Sequence, residues 1–98
     1  MPTSEPELRA ALDLVRSDDN LLDPLLANFG ELRFLPDDPV LHCASLRARK
    51  RTGDGGVVVH FSPARRMLKV LAQFGSGTST TLTYQLRMYR VDAPRPRS

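Results

Sequence analysis

The sequence predicts a two-layer α+β domain. Three observations carry that expectation: apolar stripes at helical spacing over the first thirty residues, period-two alternation in the middle and at the end, and glycine-rich turns between the alternating runs. The expected layers are an N-terminal helical hairpin and one further helix, packed on a mainly antiparallel sheet of about four strands. With 98 residues, 41% of them hydrophobic and 26% charged, the chain is long enough for one hydrophobic core and lies outside the composition of wholly disordered chains. Residues 1–91 are expected to form this single domain. Residues 92–98, with Pro94 and Pro96 each followed by an arginine, read as a flexible basic tail.

The first helix is announced by Ser4-Glu5-Pro6-Glu7, a capping box in which Ser4 and Glu7 satisfy each other's free amides. Leu8, Ala11, Leu12 and Val15 then place one apolar stripe along it to about Arg16. Turn formers at Ser17-Asp18-Asp19-Asn20 separate it from a second stripe of Leu22, Leu25, Leu26 and Phe29, with Asp23 as cap, Pro24 in the first turn and Gly30 as terminator. A short strand follows, with Leu32 and Phe34 on one face and Arg33 and Leu35 on the other, stopped by Pro36-Asp37-Asp38-Pro39.

From Val40 to Arg51 the period of two puts Val40, Ala44, Leu46 and Ala48 on one side and Cys43, Ser45, Arg47, Arg49 and Arg51 on the other. Thr52 to Gly56 supplies the positive-φ residues of a hairpin into Val57-Val58-Val59. The segment from Ser62 to Gly75 reads two ways. Ser62 and Pro63 at the start, Met67, Val70, Leu71 and Phe74 on one stripe and Gly75 at the end favour a helix over 63–74. The competing strand alternates Leu68, Val70, Ala72 and Phe74, with Gly75 to Ser79 as a loop. Finally Leu82, Tyr84, Leu86 and Met88 alternate with polar residues as a half-buried strand.

Charge is divided along the chain. Met1 to Asp38 carries three arginines against nine acidic residues, a net of −6, whereas Pro39 to Ser98 carries eleven basic and two acidic residues, a net of +9. Either the acidic part folds back on the basic part, or the basic part faces an anionic partner. The candidate anionic-ligand face consists of Arg47, Arg49, Arg51, His60, Arg87 and Tyr89, because guanidinium groups in a row beside an aromatic suit phosphate pairing and base stacking. Cations on strands also serve simply to discourage aggregation. The candidate protein interface is the stripe of Leu22, Leu25, Leu26 and Phe29.

No nucleophile-base pair, phosphate loop or metal-ligand spacing accompanies these features, so the expectation is no enzyme, no cofactor and no metal. His42 and Cys43 are adjacent on the expected strand and so point to opposite faces, and Cys43 is expected to be a small buried or half-buried residue. A lone cysteine, no visible signal segment and no long apolar stretch point to a cytoplasmic chain, or a nuclear one in a eukaryote, with no membrane contact. The function expected is a non-catalytic protein-protein interaction or regulatory module that self-associates as a homodimer. The alternative is a small nucleic-acid-binding protein using the basic sheet face.

Overall fold

A computed structural model of the chain describes residues 3–75 and 81–92. Two helices are followed by five strands: α1 Glu5–Asp18, α2 Leu22–Leu26, β1 Arg33–Leu35, β2 Ser45–Arg49, β3 Gly56–Ser62, β4 Met67–Gly75 and β5 Thr81–Arg90. All neighbouring strands pair antiparallel in the order β1-β2-β3-β4-β5. The class is therefore α+β, with one strand more and one helix fewer than the sequence leads one to expect.

The helix α1 forms for the reasons legible in its residues. The Ser4 hydroxyl accepts the Glu7 amide at 3.3 Å and the Glu7 carboxylate accepts the Ser4 amide at 3.3 Å, closing the capping box. Leu8, Ala11, Leu12 and Val15 are buried on the face this stripe defines. They meet Leu46 and Ala48 of β2, Val57, Val59 and Phe61 of β3, and Leu68 and Val70 of β4 in one core, to which Leu22 and Val91 also belong. Burying a valine or leucine fully stabilises the fold by about 1.5–3 kcal/mol.

Three expectations about elements need correction. The first concerns α2, which is a single turn of five residues, starts at Leu22 rather than at Pro24, and has no side-chain cap. The second concerns β2, which begins only at Ser45, because Pro39 to Cys43 turn around Asp38 instead of extending. His42, at φ 58, sits in that turn, so neither it nor Cys43 lies on a strand, and Cys43 is exposed rather than buried.

The third is the segment expected to be a helix over 63–74, which is the strand β4. Its start signals serve a turn instead: the Ser62 hydroxyl accepts the Arg65 amide at 3.4 Å, and Arg66 takes φ 54 before the chain reverses. Long-range pairing decides the outcome. Val57 to Phe61 of β3 needs a partner, and Phe61↔Leu68, Val59↔Val70 and Val57↔Ala72 provide it while burying Leu68, Val70 and Ala72. The hairpin between β2 and β3 forms where expected, with Gly53 at φ 81 and Gly55 at φ 107. Of the loop expected from Gly75 to Ser79, and of the tail expected from 92, residues 76–80 and 93–98 lie outside the described residues.

Candidate functional site

The two faces of the sheet are chemically different, and register assigns each side chain to one of them. The face toward the helices carries Phe34, Leu46, Ala48, Val57, Val59, Phe61, Leu68 and Val70. The opposite face carries Arg33, Ser45, Arg47, Arg49, Val58, His60, Lys69, Leu71 and Gln73. Arg47 and Arg49 therefore do share a face with His60, as their spacing requires, and Arg33 joins them directly across from Arg47. The other candidate cation-face residues go elsewhere. Arg87 pairs with Val70 and Tyr89 with Leu68, which puts both on the helix side. Arg51 lies beyond the end of β2, its amide bound to the Asn28 carbonyl and its side chain to the Ala27 carbonyl at 3.0 Å.

Arg47 is also not a free ligand group. Its Nε and Nη2 donate to Asp38 at 3.2 and 2.7 Å, and its Nη1 donates to the Gln73 side-chain oxygen. Gln73 is on β4 and Arg47 on β2, so the arginine side chain spans β3 over Val58, which is fully buried. Asp38 is fully buried too. Besides Arg47, its carboxylate accepts the Val40 amide at 2.8 Å, the Leu41 amide at 3.1 Å and the Ser45 hydroxyl at 2.8 Å. Burial pulls the Asp38 carboxyl upward, but the hydrogen bonds from Arg47, the two amides and Ser45 outweigh it and hold the group below the usual carboxylate range. The arginine that the row most depends on is thus a strut that closes the loop between β1 and β2.

His60 lies one step beyond the Leu46↔Val59 pair, level with Ser45 rather than with Arg47 or Arg49, and directly across from Lys69. Burial and then the Lys69 charge lower its pKa, against a smaller opposite pull from Asp38, so the imidazole is neutral at pH 7. Tyr89 donates its hydroxyl to Asp19 at 2.7 Å, tying β5 to the end of α1. Burial, the hydrogen bond to Asp19 and the Asp19 charge push the tyrosine up to about 12.

The acidic N-terminal part reaches the basic face at one point among the described residues, the Asp38–Arg47 pair at 2.7 Å. Its other ion pairs are Arg9 with Glu5 and Arg16 with Asp13 and Asp23, all on the helix side of the molecule. Among the described residues, Arg33, Arg49 and Lys69 have no carboxylate within 4.0 Å. No group of three or more potential metal ligands occurs among the described residues either.

The apolar stripe of the second helix is spent on the core. Leu22 is completely buried, and Leu25, Leu26 and Phe29 are half-buried against the same cluster. The large apolar surface lies on β5 instead. It is ten residues long, pairs among the described residues only with β4, and leaves Leu82 49%, Tyr84 53%, Leu86 39% and Met88 51% exposed. The strand expected to be half-buried is an edge strand among the described residues, its large apolar side chains about half exposed and Tyr89 the most covered of its ten residues.

Geometry explains the exposure. A helix about 10 Å wide covers two or three strands spaced about 4.8 Å apart, and α1 lies over β3. The one-turn α2 adds little, so the β5 side of the sheet extends past the helical layer. At the other end of the hairpin, pairing between β3 and β4 stops at Gly56↔Gln73 while β4 and β5 continue to Gly75↔Thr81. Phe74 and Tyr84, their rings 6.0 Å apart and edge to face, stand on this projecting part.

No helix among the described residues is long and apolar enough to cross a membrane. Comparison with known proteins finds no matching family model, no matching curated protein and no matching solved structure.

Proposed function

We propose that this protein is a non-catalytic protein-interaction module that self-associates through β5. The observation that carries this reading is the ten-residue edge strand with four large apolar side chains open to solvent. Long, exposed, apolar edges template pairing with another chain, and proteins that remain monomeric shorten, charge or cover them. Here the exposed residues include both aromatic and aliphatic anchors, the kind that dominate binding energy at interfaces. The test is sedimentation equilibrium over a range of concentrations. The wild type is expected to form a dimer, and Leu82→Glu with Met88→Lys to be monomeric with an unchanged far-ultraviolet spectrum. A wild type that stays monomeric up to high micromolar concentration overturns the proposal.

A second reading, nucleic-acid binding, is favoured by one observation. Arg33 and Arg49 line a groove of about 540 Å³ beside β1 and β2 and have no carboxylate within 4.0 Å among the described residues. It is the weaker reading because Arg47 is neutralised by Asp38, and Arg87 and Tyr89 are on the other face. If it holds, single-stranded nucleic acid binds with an affinity that falls steeply with salt, and Arg33→Glu with Arg49→Glu abolishes it. Weak, salt-insensitive association leaves this reading without support.

A further inference from the structure

The pairing of β4 with β5 contains an irregularity that limits how two copies can join. Val70 is opposite Arg87, but the next residue of β4, Leu71, is opposite Gln85, so Leu86 is an extra residue, a β-bulge. Before the bulge, Leu82 and Tyr84 face the helix side, because they lie opposite Phe74 and Ala72. After it, Arg87 and Tyr89 face that side, because they lie opposite Val70 and Leu68. The side chains on one face are thus even-numbered in the first half of β5 and odd-numbered in the second.

Two antiparallel strands related by a two-fold axis perpendicular to their sheet must put directly opposed side chains on the same face. In a regular strand this forces even numbers to meet even and odd to meet odd. In β5 a pairing that uses the whole strand must do the reverse, bringing the first half of one copy against the second half of the other. Resting on the self-association proposed above, we infer that the occupant of the β5 edge is a second copy of this chain. Its β5 runs antiparallel, with Leu82 opposite Tyr89, Tyr84 opposite Arg87, Thr83 opposite Met88 and Thr81 opposite Arg90.

This register overlaps all ten residues and places the two bulges together at the axis. It is also self-complementary. No arginine faces an arginine, and each Arg87 meets the Tyr84 ring of the other copy, which already stands edge to face with Phe74. Each Leu82 packs on a Tyr89, an aliphatic-aromatic cross-strand pair. Because the axis is perpendicular to the sheet, the helices of both copies lie on one side of a continuous ten-stranded sheet. Arg33, Arg49 and Lys69 of both copies lie on the other.

The register is tested by cross-linking in a Cys43→Ser background, which removes the native thiol. Thr83→Cys and Met88→Cys are prepared as separate proteins and oxidised mildly, alone and mixed. Opposed residues have Cα atoms about 5 Å apart, within disulfide range. The mixture is expected to give a covalent dimer on a non-reducing gel, and each protein alone to stay single. If Thr83→Cys or Met88→Cys links to itself, or the mixture fails to link while sedimentation still shows a dimer, the register is overturned and self-association stands. If sedimentation shows monomers before oxidation, self-association itself falls.

Discussion

The two edges of the sheet end in opposite ways. At one, β1 is three residues long, carries exposed Arg33, and is joined to β2 by a loop held down by the Asp38 network. At the other, β5 is ten residues long and mixes the exposed Leu82, Tyr84, Leu86 and Met88 with the exposed Arg87 and Arg90, with neither a helix nor a loop over it among the described residues. Shortness, charge and a bound loop are the usual protections of a strand edge. β1 has all three, whereas β5 has charge at Arg87 and Arg90 and a bulge at Leu86 but is neither short nor bound under a loop among the described residues. The difference teaches that the exposure of β5 is not a general looseness of the fold. A short strand and a tethered loop close one edge, and neither device is used at the other among the described residues.

The largest expected effect of breaking this asymmetry is at the protected edge. Asp38→Ala removes the acceptor for Arg47, Ser45 and two backbone amides, and is expected to lower unfolding stability by about 3 kcal/mol, the low end of the cost of breaking a buried ion pair because the Arg47 left behind is partly exposed. Denaturant unfolding of monomeric protein measures it, and a loss below about 1 kcal/mol would mean the network is not what fixes that edge.

His60 and Asp38 each make the fold respond to acid, in two steps of the same sign. His60 has a folded-state pKa below its unfolded value, so the unfolded chain takes up the proton first and stability falls as pH drops below about 6.5. Asp38 also has a lowered pKa in the folded state. Its contribution is full above the unfolded value and is lost as pH falls below about 4. Unfolding midpoints measured from pH 8 to pH 3 are expected to show both declines. His60→Gln flattens the upper one, and Asp38→Ala flattens the lower. A His60→Gln profile that still declines between pH 6.5 and pH 5 would show that another group carries the upper step.

How much of this could be read from the sequence depends on how local each signal is. The capping box at Ser4 and Glu7, the stripe from Leu8 to Val15 and the glycines at Gly53 and Gly55 act within a few residues, and the elements they announce are present. The segment after Ser62 misleads because its local signals for a helix and for a turn followed by a strand are the same, and only the demand of Val57 to Phe61 for a partner separates them. Arg47 reads as part of a free row because its partner Asp38 is nine residues away in a turn. The Asp-Pro pair before a strand bearing Ser45 and Arg47 was the available clue. The status of β5 is the least legible feature. Alternating apolar residues look alike in a central strand and in an edge strand, and nothing in the residues around Leu86 announces the bulge that moves Arg87 and Tyr89 to the helix side.

The smallest expected effect is the sharpest contrast between the edges. Phe34 of β1 pairs with Leu46 and is half-buried against the core, so Phe34→Ala is expected to cost about 2 kcal/mol in the monomer. Leu82→Thr and Met88→Thr on β5 remove side chains of similar hydrophobicity, yet these side chains touch solvent, and each substitution is expected to change monomer stability by less than about 0.5 kcal/mol. Their effect should appear only when copies meet. A dimer that binds the folded state alone raises the thermal midpoint with protein concentration, so the wild-type midpoint climbs on concentration while that of Leu82→Thr climbs less. Should Leu82→Thr cost as much as Phe34→Ala in dilute solution, β5 is covered within a single chain, and the difference between the two edges disappears.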